Sequence, residues 1–181
     1  GLTSAYAPLS GSIVSDKIWT VLEQGNDKFG PIGHGWTYSA HPISAAAGVA
    51  NLRLLDDLNL IQNVNEVGLH FKSALIDAVG DHLNVGEVRG EWLMCAVELV
   101  ADKVDRKFFE ADQKIGYQVA AALLSHGVIA RAMPQGDIIG FAPPFCISKA
   151  QSEDVAEKLA QSIKDVLGWI FVETKATLES C

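Results

Sequence analysis

The chain has 181 residues, 49% of them hydrophobic and 20% charged, which is enough apolar surface for one or two packed cores and weighs against disorder. Its 22 acidic against 14 basic residues give a formal net charge of -8, with no clustered stripe of Lys and Arg, which argues against nucleic acid as a partner. No apolar run approaches the roughly 20 residues of a membrane span, and residues 1–11 lack the basic and apolar regions of a secretion signal, so a cytoplasmic protein off the membrane is expected.

Residues 1–42 are rich in Gly, Ser and Pro and read as extended or turning backbone, with one short helix over residues 16–22. Pro42 suits the first turn of a helix running to about Asp56, because its missing N–H would be unsatisfied there anyway. Ile61, Val64, Val67, Phe71, Leu75 and Ala78 recur at helical spacing and paint one apolar face of a second helix that Gly80 would end. Residues 85–100 switch to strand character, Trp92, Met94, Ala96 and Glu98 alternating with Leu93, Cys95, Val97 and Leu99. Asp105 is placed to cap a third helix carrying Phe108, Ala111, Ile115, Val119, Ala122 and Leu123 and stopping at Gly127. Two short strands over residues 128–132 and 138–142 follow, and Pro134-Gln135-Gly136-Asp137 between them favours reversal into an antiparallel hairpin. Ser148 and Gln151 form a capping-box pair before a last helix with Val155, Leu159, Ile163, Val166, Leu167 and Ile170 on its apolar side.

This order describes a small α+β domain over residues 61–181, with helices on one face of an antiparallel sheet. Residues 1–60 offer no sheet partners of their own, so they are expected to lean on a larger body ahead of them. Cys95, Cys146 and Cys181 are odd in number and far apart, which suggests neither a disulfide framework nor a zinc knuckle; Cys95 reads as a small buried hydrophobe. His34 and His41 lack the spacing and carboxylate neighbours of a metal site and are expected to shape a turn. Arg131 stands alone among Val128, Ile129, Ala130 and Ala132, where a charge needs a reason to be; one reading is a strand-edge arginine facing water or paired with Asp137. Thr37, just ahead of the Pro42 helix, is on its own either a turn residue or part of an anion site built from a hydroxyl and free N–H groups.

The run Gly33-His34-Gly35-Trp36-Thr37-Tyr38-Ser39-Ala40-His41-Pro42 resembles the H-G-x-T-Y-S-G-H-P signature of class III aminotransferases. Val88-Arg89-Gly90, then Leu93-Met94 and Glu98-Leu99-Val100, is similar to that family's V-R-G-x-G-L-M-x-x-x-E-L strand, from which Glu91-Trp92 departs slightly. Gly136-Asp137 and Phe141-Ala142-Pro143-Pro144-Phe145 look like its closing strand and proline pair, and residues 1–11 look like the stretch that follows its cofactor-bearing lysine. The likeness extends to about Phe171.

The resemblance implies a fold type I transferase of the α/β class that depends on pyridoxal 5'-phosphate, residues 1–60 being the end of its large cofactor-binding domain and residues 61–181 the small domain. It implies a homodimer, possible also as a tetramer, that moves an amino group from an omega-amino acid or primary amine to an oxoacid such as pyruvate. Thr37 and Trp36 would then bind cofactor, Thr37 through its phosphate across the dimer interface. Arg131 would bind the substrate carboxylate, with Trp36 and Tyr6 as pocket walls and Arg89 tying the small domain together. The cofactor-bearing lysine would stand immediately before Gly1, leaving no catalytic residue in this chain. Decarboxylation, racemisation, an internal amino shift, or a non-catalytic assembly role stand as alternatives.

Overall fold

The computed structural model describes residues 1–168. It holds five helices and four strands in the order α1 (Asp16–Phe29), α2 (Pro42–Asp57), α3 (Leu60–Val79), β1 (Val85–Glu91), β2 (Met94–Leu99), α4 (Ile115–Ser125), β3 (Arg131–Ala132), β4 (Ile138–Phe141) and α5 (Lys149–Leu167). These fall into two compact units that divide between Asn59 and Leu60.

In the first unit the short helix expected over residues 16–22 runs on to Phe29, through Gly25, and stops at Gly30, whose φ of 81° favours glycine. The helix α2 starts at Pro42 as its sequence requires. Residues 1–9 are held along it by Asn51, whose Nδ2 donates to the carbonyls of Gly1 and Leu2 at 3.2 Å while its Oδ1 accepts from Ser4 at 2.6 Å. Gly48 lets the two come close, since a Cβ there would lie 2.7 Å from Leu9 Cδ2.

The second unit is an antiparallel sheet of order β1-β2-β4-β3 whose inward side chains join those of α3, α4 and α5 in one core. Val97 and Ile139 from the sheet, Phe71 and Leu75 from α3, Val119 and Leu123 from α4, and Leu159 and Ile163 from α5 are fully buried in it. Each such side chain contributes about 1.5 to 3 kcal/mol relative to exposure, so the three helical stripes and one strand face fix the unit. The alternation read in residues 94–99 holds: Cys95, Val97 and Leu99 point inward, and Met94 is 74% exposed. Burial pushes the Cys95 thiol above its ordinary range, in keeping with a packing role.

Two expectations about this unit are corrected. Residues 85–100 are not one strand but the hairpin β1–β2, turned at Trp92 and Leu93. Trp92 has a φ of 50°, in the left-handed region, and a Cβ on Gly90 would lie 2.1 Å from the Met94 carbonyl oxygen, so the reversal depends on that glycine. The third helix does not begin at Asp105. Asp102 Oδ1 instead accepts the amides of Val104 at 2.8 Å and Asp105 at 2.9 Å, a local turn that competes with helix, and α4 starts only at Ile115, leaving Phe108 exposed. The strands after it are shorter than residues 128–132 and 138–142 but pair antiparallel as expected. Both halves of the Ser148–Gln151 capping box form, at 3.2 and 2.9 Å. Ile170 and Cys181 lie outside the described residues. Among the described residues no helix is long and apolar enough to cross a membrane.

Candidate active site

The loop before α2 is set by a reciprocal pair: the Trp36 amide donates to Ser39 Oγ and the Ser39 amide to the Trp36 carbonyl, both at 2.9 Å. Ala40, at a φ of 54°, then turns the chain into the helix. The arrangement leaves Thr37 at the crest, exposed, with neither its hydroxyl nor its amide engaged among the described residues. Among the described residues no side chain caps α2, so its first-turn amides keep the partial positive charge of a helix start.

Below the crest lies a cleft of about 480 Å³ in the first unit, lined among others by Leu9, Ser10, Trp36, Tyr38, His41 and Ser44. Among the described residues no carboxylate lines it, and His41 Nδ1 is buried there without a hydrogen-bond partner. The His34 and Trp36 rings meet edge to face at 5.8 Å, and the Tyr38 and His41 rings, tilted, at 6.1 Å, so both histidines pack on aromatic residues of the turn. Hydroxyls, an orphaned buried nitrogen, an uncapped helix start and no opposing negative charge are a donor set suited to a phosphate. Trp36 thus borders this cleft, while Thr37 stands on its rim rather than in its lining. Tyr6 is 91% exposed and outside it, its amide donating to the Thr3 carbonyl at 3.1 Å.

Arg131 belongs to the second unit, on the edge strand β3. Its neighbour Ala132 pairs with Ile139 of the core, so Arg131, paired with Gly140, faces the side of the sheet away from the helices. The Arg131 side chain is exposed, with no hydrogen bond or ion pair among the described residues. Asp137 is not its partner: that carboxylate accepts the Gly116 amide at 2.7 Å and so caps α4 from across the chain. No local signal marks this cap, because donor and acceptor lie 21 positions apart.

Arg89, on the same open face at the far edge, is by contrast saturated. Its Nη1 meets Glu87 at 2.9 Å and also Glu98, whose hydrogen bond, against the opposing effect of burial, holds the guanidinium above its ordinary range. The expectation of a structural arginine holds, and Arg131 and Arg89 are two cations with opposite assignments.

The family model for class-III aminotransferases matches residues 1–163. The chain is 45% identical to a diaminobutyrate–2-oxoglutarate transaminase of Halomonas elongata, covering 92% of this chain and 35% of the relative. It is 35% identical to a putrescine–pyruvate aminotransferase of Pseudomonas aeruginosa, covering 86% and 32%. A solved transaminase obtained by ancestral reconstruction superposes with a TM-score of 0.86 at 53% identity, over 91% of this chain and 36% of that one. The chain thus spans about a third of the length of the curated relatives it matches, and its fold is that of fold type I transferases. With family model, relatives and solved structure agreeing over nine-tenths of its length, the chain belongs to the class-III aminotransferases, a family of pyridoxal-phosphate-dependent enzymes.

Proposed function

We propose that these residues serve an enzyme that transfers an amino group from an omega-amino acid or primary amine to an oxoacid such as pyruvate, as a cytoplasmic homodimer. Bound pyridoxal 5'-phosphate supplies the electron sink that such a transfer needs. Thr37 offers its hydroxyl and amide to the phosphate, in the partner subunit's site, and the start of α2 adds the favourable field of its amides. Trp36 lies beside the cofactor, and with Tyr6 it walls the substrate pocket. Arg131 receives the substrate carboxylate. We assign the proton-moving base and the cofactor-bearing amine to no residue of this chain.

The observation that carries this reading is the unengaged Arg131 guanidinium on one sheet edge, in contrast to the Arg89 guanidinium on the opposite edge, which has two carboxylates of its own. A planar fork meets a carboxylate through paired, charge-assisted hydrogen bonds of about 1.5 to 3 kcal/mol each. The transaminase names of the relatives support transfer over decarboxylation, racemisation, an internal amino shift or an assembly role. In the intact enzyme Arg131→Ala should raise the KM for pyruvate at least about tenfold, the equivalent of losing one such bond. An unchanged KM would remove Arg131 from the site.

A further inference from the structure

Asparagine is a poor residue for a helix interior, because its short amide competes for nearby backbone groups, yet Asn51 stands inside α2. Its side chain turns instead to residues 1–4. Nδ2 donates to two successive carbonyls, those of Gly1 and Leu2, both at 3.2 Å, and Oδ1 accepts from Ser4 Oγ at 2.6 Å. One side chain thus holds three of the first four residues.

That stretch is bent in a way that needs holding. Ser4 and Ala5 sit at φ of 50° and 67°, in the left-handed region that is costly for residues other than glycine, and such a pair persists only where its surroundings impose it. The Ser4 amide closes a turn on the Gly1 carbonyl at 3.3 Å, and the Tyr6 amide closes the next on the Thr3 carbonyl at 3.1 Å. Thr3 is buried, its hydroxyl donating to the Ala7 carbonyl at 2.5 Å. The face of α2 that carries Asn51 offers the small buried residues Ser44 and Gly48 rather than an apolar stripe. Hydrogen bonds from Asn51, more than burial of apolar surface, therefore set where residues 1–4 lie.

We propose that Asn51 is a positioning residue for the cofactor-bearing lysine. This rests on the reading that the lysine stands immediately before Gly1, one Cα–Cα step of about 3.8 Å away. Fixing the Gly1 carbonyl fixes the peptide plane next to the one through which that lysine enters. Attachment of the cofactor is then an intramolecular condensation: the aldehyde carbon of pyridoxal 5'-phosphate forms a double bond to the ε-amine nitrogen, and the aldehyde oxygen leaves as water with the two amine protons. Its equilibrium depends on how closely the amine is held against the aldehyde, and small misplacements lower it steeply. Asn51 supplies that placement through the backbone, touching neither cofactor nor substrate.

The test uses the intact enzyme stripped of cofactor and two probes, pyridoxal 5'-phosphate and pyridoxamine 5'-phosphate. The second shares ring and phosphate but carries an amine in place of the aldehyde, so it cannot attach to lysine. In equilibrium dialysis Asn51→Ala should weaken the aldehyde at least about tenfold and leave the amine unchanged within about twofold. Asn51→Asp keeps the size of the side chain and the acceptor for Ser4 but offers the carbonyls no donor, so it should match alanine, and it keeps the test open should alanine prevent folding. Ser4→Ala removes one of the three bonds and should shift the same contrast by less. Equal weakening of both probes, or of neither, overturns the positioning role and leaves Asn51 a contact of the fold, with the lysine's place still standing. That place is read separately: borohydride reduction of the parent holoenzyme should fix the cofactor on the residue immediately before Gly1, located by peptide mass. Cofactor fixed elsewhere removes the premise, and this inference with it.

Discussion

Replacing Asp137 by alanine removes the acceptor for the Gly116 amide, a 2.7 Å bond to the first turn of α4. Among the described residues that helix has no other side-chain cap, and Lys114 at its N-cap position sits at a φ of 49°. Loss of a capping carboxylate costs about 0.5 to 2 kcal/mol. Asp137→Asn keeps an acceptor and gives up only the charge at the helix start, about 0.3 to 1 kcal/mol. Native-state hydrogen exchange of the holoenzyme reads this locally: 0.5 to 2 kcal/mol corresponds to roughly two- to thirtyfold faster exchange of the Gly116, Tyr117 and Gln118 amides in the alanine variant. The asparagine variant should fall between it and the parent. Exchange in that turn unchanged within about twofold would refute the cap and return Asp137 as a candidate partner for Arg131.

Gly68→Ala sets two effects against each other. Alanine would gain up to about 1 kcal/mol of helix propensity inside α3, but its Cβ would lie 2.5 Å from the Trp92 backbone, an overpacking that costs about 1 to 3 kcal/mol. The variant should therefore have a lower thermal midpoint than the parent holoenzyme, and a higher one would show that the hairpin yields freely. Asp165 is held below the usual carboxylate range, first by its hydrogen bond from His126 and then by that from Gln161. Because the folded carboxyl titrates lower than the unfolded one, its contribution is present above pH 3.8 and disappears as the pH falls through the lowered folded value. Exchange in the last turn of α5 should accelerate in that acid range in the parent and lose this component in Asp165→Asn; identical acid profiles would exclude the effect.

How far the sequence could be read follows from the range of the forces involved. Helical and alternating periodicities are repeated many times along α3, β2 and α5, so each was legible from spacing alone. The Ser148–Gln151 cap was legible too, because donor and acceptor sit three positions apart. The start of α4 was not: the Asp102 turn and the remote Asp137 cap decide it, and single turns or long-range caps leave no period. The break at Trp92 was hidden for a similar reason, since an unbroken apolar alternation runs across it and only the close approach at Gly90 reveals the reversal. At the candidate site, the motif around Thr37 and the lone charge of Arg131 could be seen in the sequence. The saturation of Arg89 by Glu87 and Glu98 required the strand register.

Transfer of the amino group itself is tested most directly with isotope. The intact enzyme, given a ¹⁵N-labelled primary amine and unlabelled pyruvate, should yield alanine carrying the label in step with loss of the amine. Amine consumed without labelled alanine, or substrate racemised or decarboxylated in its place, would contradict the assignment.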